Sequence, residues 1–300
     1  MNIQQPKSLQ RGDIVAIVTT ARKIDKEDLQ LAIELHESWG LNVVIGKTIG
    51  LSDCQFGGTD SQRISDFQQA MDDDAVKAIW CARGGYGTVR IIDALEFTKF
   101  LQQPKWVIGF SDVTALHSHL HNMHIETLHA VMPITVKGNT HEALESLRKD
   151  LFGQKNSYTI PSESINKLGE AKGKLVGGNL SMLYSLLGSP SAVETDGKIL
   201  FIEDLDEYLY HVDRMMINLK RNGYFNQLAG LVVGGMTKMN DNDIPFGKTA
   251  EEIILDVLSE YNFPIVFNFP AGHVADNRSL HLGRKVTLDV TEEYAKLNFD

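Results

Sequence analysis

Residues 105–117 read KWVIGFSDVTALH, and this stretch indicates the fold class because it leads from a predicted strand into a predicted helix. The apolar run WVI is typical of the end of a buried strand. Gly109, Phe110, Ser111 and Asp112 follow it, and the pattern of a helix begins directly after them. A strand that passes through such a short turn into a helix is the basic unit of α/β sheets, and it places Ser111 at the turn.

The same alternation of strands and helices extends through the first half of the chain. Short apolar runs predict the strands, and apolar residues at helical spacing predict the helices between them. This order predicts a mostly parallel sheet flanked by helices on both faces. The predicted strands are 13–18, 41–45, 76–82 and 106–108, and the predicted helices are 25–39, 61–71 and 88–95.

A change of character at residues 137–173 marks the passage to a second unit. This segment is polar and ends in turn-forming residues, and strands and helices alternate again after it. We therefore predict an α/β N-terminal domain over residues 1–160 and a smaller α/β C-terminal domain over residues 170–300. The second half has predicted strands at 174–176, 198–202, 228–233 and 264–268, helices at 180–187, 212–222 and 250–261, and a final strand pair in 285–300.

The composition of the chain limits the kinds of binding partner and the cellular compartment that can be expected. A chain of 300 residues with 43% hydrophobic residues predicts about two ordinary globular domains. The net charge of −10 and the lack of a Lys/Arg patch argue against nucleic acid as a partner. No apolar run approaches the ~18 residues of a membrane span, so no membrane partner is expected. Cys54 and Cys81 form no disulfide framework, which favours a reducing, cytoplasmic location.

Ser111 is the first candidate for chemistry. Ligands of open α/β sheets bind beyond the carboxyl ends of the strands, where a turn presents this serine. The turn resembles a nucleophile elbow of the form G-x-S-x-G, although Val113 replaces the second glycine. A serine that simply caps the following helix is the alternative interpretation.

A nucleophilic serine needs a base and a group that orients the base. Two further strands end in suitable residues: the run KILFIED leads into Glu203, and PIVFNFPAGH leads into His273. The order serine, acid, histidine matches that of α/β-hydrolases. The alternatives are that Glu203 belongs to a solvated or metal-binding acidic cluster, which continues to residue 207, and that His273 is a hydrogen-bonded turn residue.

Other motifs have more than one interpretation. The glycine-rich loop RGGYG at residues 83–87 follows a strand and could form either a phosphate cradle or an oxyanion hole. Four histidines in residues 117–124 suggest a surface helix face rather than a metal site, because no zinc-protease pattern accompanies them. The GGN at residues 177–179 predicts a turn before a helix, which could be a second ligand-facing loop or only the start of that helix. Cys81 in the run AIWCA is predicted to be a core residue.

Together these motifs resemble one family. The chain is similar, from its first strand to its last, to the LD-carboxypeptidase family of serine peptidases, which includes murein tetrapeptide LD-carboxypeptidases and microcin C self-immunity proteins. The motifs that carry the resemblance are, in order, RGGYG at 83–87, GFSD at 109–112, GGNL at 177–180, FIED at 201–204 and AGH at 271–273.

The resemblance implies a site, and this site uses the residues singled out above. Ser111 matches the family's nucleophile, Glu203 the orienting acid and His273 the general base. The backbone N–H groups of Gly85 and Asp112 match the oxyanion hole. The family resemblance also implies a site in a groove between two α/β domains, a homodimer, and no cofactor or metal.

The substrate remains open between two classes within the family. One is a murein tetrapeptide that loses its terminal D-amino acid, and the other is an aminoacyl-nucleotide. Arg83 is a candidate for binding a substrate carboxylate, unless it braces its own loop, and Tyr86 is a candidate for substrate contact. Outside the family, the chain could be a non-catalytic two-lobe binding protein for a small ligand.

Overall fold

Two β-sheets form the framework of the protein, and a computed structural model describes residues 3–300. The α/β fold class expected from the sequence is confirmed. The strands are β1 Ile14–Val18, β2 Asn42–Ile45, β3 Val76–Cys81, β4 Trp106–Gly109, β5 Thr127–His129, β6 Ser157–Pro161, β7 Gly169–Asn179, β8 Ile199–Leu205, β9 Gly230–Thr237, β10 Ile265–Val266, β11 Leu280–Leu282, β12 Lys285–Val290 and β13 Tyr294–Phe299.

The first sheet has the strand order β11-β5-β4-β3-β1-β2. Its strands pair in parallel, except that β11 runs antiparallel to β5. Parallel neighbours need long crossover connections, which the intervening helices provide. Both faces of the sheet are covered, so Ile17, Trp80 and Trp106 on its strands are fully buried. The mostly parallel sheet expected for the first half is therefore confirmed.

The second sheet has the order β10-β9-β8-β7-β12-β13-β6. Strands β7 to β10 pair in parallel, whereas β12, β13 and β6 form an antiparallel extension beside β7. Strand β6 belongs to this sheet although it precedes residue 170, and β11 returns to the first sheet. The division into domains at residues 160–170 stays a prediction.

The helices cover the sheets and position the turns at their edges. Thr59 and Thr249 each begin a helix with a capping box, in which side chain and backbone groups satisfy each other. The segment expected as one helix at 88–95 consists of two short 3₁₀ turns. The helices are α1 Gln30–Ser38, α2 Asp60–Asp72, α3 Thr98–Gln102, α4 Thr114–Asn122, α5 His141–Leu151, α6 Leu180–Ser185, α7 Leu209–Arg221 and α8 Ala250–Val257.

The turn expected at residues 177–179 is wrong, because these residues continue β7 up to the start of α6. The glycines allow a close approach instead of a turn. A Cβ atom on Gly177 would overlap the carbonyl oxygen of Phe201 in β8, and one on Gly178 would overlap the side chain of Thr114. Asn179 N–H donates to Thr114 Oγ1 at 3.0 Å. The end of β7 therefore packs directly on the first turn of α4.

The histidine-rich helix α4 does not present a surface face, so this expectation is also wrong. His117 and His121 are buried, because α4 packs against β5 on one side and β7 on the other. Burial lowers the pKa of His117 to about 4 and that of His121 to about 3. Cys81 is buried, as expected for a core residue. Among residues 3–300, no helix is both long and apolar enough to cross a membrane.

Candidate active site

A cavity of about 500 Å³ lies where the carboxyl ends of the parallel strands of both sheets meet. This is the edge at which open α/β sheets bind ligands. Strand exits from the first sheet and from the second both contribute to the wall. The wall includes Arg22, Gly85 and Ser111 from the first half of the chain and Asn179, Asp204 and His273 from the second.

Ser111 lies at the turn between β4 and α4 and lines this cavity. Its φ angle is +63°, which is unusual for a residue with a side chain. Such a strained turn is the feature that exposes the serine in a nucleophile elbow. Gly109 allows the sharp bend, since a Cβ atom there would lie 2.9 Å from Val113 Cγ2. The backbone geometry thus favours the elbow over a simple helix cap.

The glycine-rich loop packs directly on this serine. A Cβ atom on Gly84 would lie 3.2 Å from Ser111 Cβ and 3.4 Å from both Ser111 Oγ and Asp112 N. Gly85 has a φ angle of +108°, which a glycine adopts freely. Within residues 3–300, the Gly85 N–H donates no hydrogen bond. The loop therefore offers a backbone donor beside the Ser111 side chain.

The carboxylate of Asp112 ties the loop to the serine turn. Asp112 is 1% exposed, and its Oδ2 accepts a hydrogen bond of 2.9 Å from the Thr88 N–H. Burial raises the pKa of Asp112, and the hydrogen bonds from Thr88 oppose this rise. Thr88 Oγ1 in turn donates to Thr20 Oγ1 at 3.0 Å. Three strand exits of the first sheet are thereby held together.

Glu203 and His273 form a buried hydrogen-bonded pair at the edge of the second sheet. Glu203 Oε2 accepts from His273 Nδ1 at 2.6 Å and from the His273 backbone N–H at 3.1 Å. The Glu203 side chain is fully buried, and that of His273 is 17% exposed. Because Nδ1 donates to the carboxylate, Nε2 is left for another partner in the cavity.

The electrostatics of this pair favour the charged imidazole. Burial lowers the pKa of His273, but the charge of Glu203 and its hydrogen bond outweigh burial and raise the pKa above its usual 6.5. Gly272 makes the geometry possible. Its φ angle is +101°, and a Cβ atom there would lie 2.7 Å from Glu203 Cβ. Asn277 Oδ1 fixes the turn by accepting the Gly272 N–H at 2.8 Å.

His273 lies beside the serine turn. Its ring packs edge-on against Phe110, the residue before Ser111, with ring centroids 4.9 Å apart. Both Ser111 and His273 line the cavity, but within residues 3–300 no hydrogen bond joins them. In enzymes without substrate such bonds are often long, and they close when the substrate binds.

The acidic cluster at the end of β8 is mostly held in place by hydrogen bonds. Asp204 is 2% exposed, and its carboxylate accepts from Asn179 Nδ2 at 2.8 Å and from Ser181 N at 2.9 Å. Burial, and then the charge of Glu203, raise the pKa of Asp204 to about 7. Glu207 Oε2 binds His211 Nδ1 at 2.6 Å. In the described part of the chain, no three acidic, histidine or cysteine side chains form a group that could hold a metal ion.

Arg83 and Tyr86 occupy different positions around the cavity. Arg83 lines the wall, but its Nη1 donates to the carbonyl of Lys23 at 3.3 Å, which is the bracing role considered above. Tyr86 is 44% exposed, and its ring lies 6.1 Å from that of Phe56 rather than in the cavity wall.

Sequence reasoning missed Arg22, which lines the wall. Arg22 stands four residues beyond β1, at a strand exit like those of the other candidates. The strand-exit criterion could have found it, since β1 was among the predicted strands. Asn179 was considered either as part of a ligand-facing loop or as the start of a helix, and it lines the wall. In fact its side chain caps α6 and binds Asp204.

Comparison with known proteins places these features in a family. The family models for the LD-carboxypeptidase N-terminal and C-terminal domains match residues 15–130 and 172–288. A probable murein peptide carboxypeptidase of Bacillus subtilis is 34% identical over 97% of this chain and 93% of that protein. The microcin C7 self-immunity protein MccF of Escherichia coli is 27% identical over 87% of each chain. The crystal structure of muramoyltetrapeptide carboxypeptidase from Oxalobacter formigenes has a TM-score of 0.88 at 26% identity, covering 95% of this chain and 98% of that one.

Proposed function

Because this chain belongs to the LD-carboxypeptidase family of serine peptidases, we propose that it removes the terminal D-amino acid from a murein tetrapeptide, as in peptidoglycan recycling. The observation that carries the proposal is the buried Glu203–His273 pair, which shares one cavity with the strained serine turn at Ser111. A base that is oriented by an acid and placed near an exposed hydroxyl is what acyl transfer by serine requires.

In the proposed reaction, His273 takes the proton from Ser111 Oγ as this oxygen attacks the carbonyl carbon before the terminal residue. The tetrahedral intermediate collapses, and His273 gives the proton to the nitrogen of the departing D-amino acid. Water, activated by the same imidazole, then attacks the acyl-serine and releases the shortened peptide. Glu203 holds the imidazole in the tautomer with Nδ1 protonated and stabilises the imidazolium.

We assign the oxyanion hole to the backbone N–H groups of Gly85 and Asp112. Support comes from the packing of the Gly84 position within 3.4 Å of Ser111 Oγ and from the unused Gly85 donor. A negative oxygen that forms on the attacked carbonyl would lie between these two groups. Donors that are fixed in advance cost no reorganisation during the reaction, and losing one typically costs about 3 kcal/mol of transition-state stabilisation.

Hydrolysis of aminoacyl-nucleotides is the second candidate, and the similarity to the immunity protein favours it. One feature of the cavity argues against it. Phe110 is the one Phe, Tyr or Trp in the wall, within residues 3–300, and its ring already packs against His273 and His129. Little aromatic surface in the wall itself is left for stacking a purine. Tyr208 and Tyr210, which follow Glu207 and are exposed, are the other aromatic side chains that the second candidate could use.

A direct comparison of substrates tests the proposal. The protein and its Ser111→Ala variant are incubated separately with a murein tetrapeptide and with an aminoacyl-sulfamoyl adenosine, and the products are identified by mass spectrometry. We expect release of D-alanine from the peptide by the unmodified chain alone. Cleavage of the adenosine compound without cleavage of the peptide would establish the second candidate.

The non-catalytic alternative predicts no reactive serine. A fluorophosphonate probe separates the two cases, because it labels only a serine that a neighbouring base activates. We expect labelling of Ser111 in the unmodified chain and its loss in His273→Ala. Equal lack of labelling in both proteins would favour a binding protein instead.

The proposal also includes a homodimer without cofactor in the cytoplasm. Both cysteines are free, with Cys54 exposed, and free thiols are typical of a reducing compartment. Light scattering at several protein concentrations tests the dimer, and cell fractionation tests the location.

A further inference from the structure

Arg22 is a cation in the cavity wall that the mechanism above does not use. It follows β1, and its backbone N–H donates to the Gly84 carbonyl at 3.4 Å, which fixes it to the glycine-rich loop. The side chain lines the cavity. Within residues 3–300, its guanidinium makes no hydrogen bond and no ion pair. An arginine has five donors in a fixed fork, so this side chain has donors to offer a ligand in the cavity.

The other arginines near this loop are engaged. Arg83 donates to the Lys23 carbonyl. Arg63 is fully buried, donates to the carbonyl groups of Thr20 and Gly87, and pairs with Asp60. These two side chains hold the loop in place. Arg22 differs from them because it combines a position in the wall with an unused charge.

The Arg22 side chain lies directly over the proposed oxyanion loop. A Cβ atom on Gly85 would lie 2.8 Å from Arg22 Cγ and 2.9 Å from Arg22 Nε. The neighbouring Gly84 position packs 3.4 Å from Ser111 Oγ. The guanidinium is therefore separated from the nucleophile by the width of one loop.

A carboxypeptidase substrate carries a negative charge, its terminal carboxylate, close to the bond that is attacked. The attacked carbonyl carbon and the carbon of the terminal carboxylate are separated by one nitrogen and one Cα atom, a span of about 3–4 Å. A carbonyl held in the oxyanion hole thus brings the terminal carboxylate next to the loop. The other charged side chains of the wall that lie towards β8 are acidic, and they would repel this carboxylate.

We propose that Arg22 binds the terminal carboxylate of the departing D-amino acid and so makes the enzyme an exopeptidase, an inference that rests on the proposed function. The planar guanidinium fork matches a carboxylate with two parallel hydrogen bonds. Without a cation, a carboxylate that leaves water for the cavity would stay unpaired, at a considerable cost in free energy. Arg22 takes the role that the sequence suggested for Arg83.

The test compares two peptides that differ at one group. One is a murein tetrapeptide with a free terminal carboxylate, and the other is the same peptide with a terminal amide. Both are given to the unmodified chain and to the variants Arg22→Ala, Arg22→Lys and Arg83→Ala. We expect Arg22→Ala to lower kcat/KM for the free carboxylate by about 10- to 100-fold, which corresponds to the loss of a charge-assisted hydrogen-bonded pair. It should leave kcat/KM for the amide nearly unchanged.

The two control variants, Arg22→Lys and Arg83→Ala, test whether carboxylate binding is specific to the Arg22 guanidinium. Arg22→Lys should recover part of the preference for the carboxylate, because it keeps the charge without the fork. Arg83→Ala should lower hydrolysis of both peptides by similar factors, because it removes a brace of the loop. Fluorophosphonate labelling of Ser111 in Arg22→Ala should equal that of the unmodified chain, which shows that the variant is folded and its nucleophile active.

The outcomes separate this inference from the proposed function. If the unmodified chain releases D-alanine and Arg22→Ala keeps the full preference for the carboxylate, the inference is wrong and the function stands. If Arg83→Ala alone removes the preference, the carboxylate binds to Arg83, and the inference is again wrong. If the unmodified chain hydrolyses neither peptide, the proposed function is wrong and the inference falls with it.

Discussion

Replacing Glu203 by glutamine removes the negative charge behind His273 and changes the shape of the side chain very little. In the structure, one carboxylate oxygen accepts both the His273 ring and the His273 backbone N–H. A glutamine oxygen can accept the same two donors, so the imidazole should keep its tautomer. The change therefore tests the charge of Glu203 rather than the orientation of the ring.

The size of the effect follows from the kind of hydrogen bond that is lost. A hydrogen bond to a charged group contributes about 1.5–3 kcal/mol and a neutral one about 1 kcal/mol. Amide replacement of the acid in serine proteases lowers kcat by about 10⁴-fold, largely because the histidine adopts the wrong tautomer. Since both donors here favour the correct tautomer, only the difference between the two kinds of bond should be lost, so we expect kcat to fall by about 10-fold.

The pH profile should also move. Burial lowers the pKa of His273, and the charge and hydrogen bond of Glu203 outweigh it, which places the pKa above 6.5. Glu203→Gln removes the contributions that raise the pKa, so the acidic limb of kcat/KM should move to lower pH. A histidine whose pKa is raised on folding stabilises the fold fully below pH 6.5 and loses this effect as the pH rises through the folded pKa. The contribution of the charged pair to stability should therefore be largest below pH 6.5.

The assay measures release of D-alanine from a murein tetrapeptide between pH 5 and 9, together with thermal unfolding across the same range. Glu207→Gln is the matched control, since Glu207 binds His211 Nδ1 at the same 2.6 Å and lines the same cavity but, within residues 3–300, makes no hydrogen bond to His273. This control should leave the acidic limb in place. An unchanged limb in Glu203→Gln, or a kcat within threefold of the unmodified chain, would refute the assigned role of Glu203.

Three further predictions follow from local geometry. Gly177→Ala should lower the free energy of unfolding by about 2–3 kcal/mol, because its Cβ atom would overlap the Phe201 carbonyl. The control Gly138→Ala, which has open space around it, should have little effect in the same thermal or urea unfolding experiment. Asp112→Ala should lower kcat by about 10- to 100-fold with little change in KM, because Thr88 N–H loses its acceptor and the proposed oxyanion loop loosens. Asp112→Asn should recover most of the lost activity. Activity should survive dialysis against a chelator, since the proposed mechanism takes its base from an imidazole, and loss of activity that returns with added metal would contradict it.

The ends of the parallel strands are features that could be predicted from local sequence patterns. Buried parallel strands appear as short apolar runs, so the ends of β4 and β8 could be read from the sequence within a few residues. Ligands bind at the carboxyl ends of such strands, which is why Ser111, Glu203 and His273 could be singled out before their surroundings were known. All three lie at or beside the cavity edge.

Other features depended on what packs against an element. The polarity of α4 suggested a surface face, but both sheets cover it and bury His117. The glycines before Asn179 suggested a turn, but close contact with β8 and with Thr114 requires them within a strand. A local sequence pattern indicates which backbone conformations are possible. It does not indicate which distant element packs against the segment, and this packing determines the conformation that forms.

The sequence by itself determined the α/β class, the positions of most strands and the residues that end them, because these depend on apolar periodicity within a few residues. The tertiary structure decided that the carboxyl edges of two separate sheets face one cavity. It also joined Glu203 to His273 across 70 residues of chain and, among residues 3–300, left the Arg22 side chain without a partner beside the glycine-rich loop. The physical reason is that these contacts form between elements distant along the chain, and their geometry is fixed only when the elements pack.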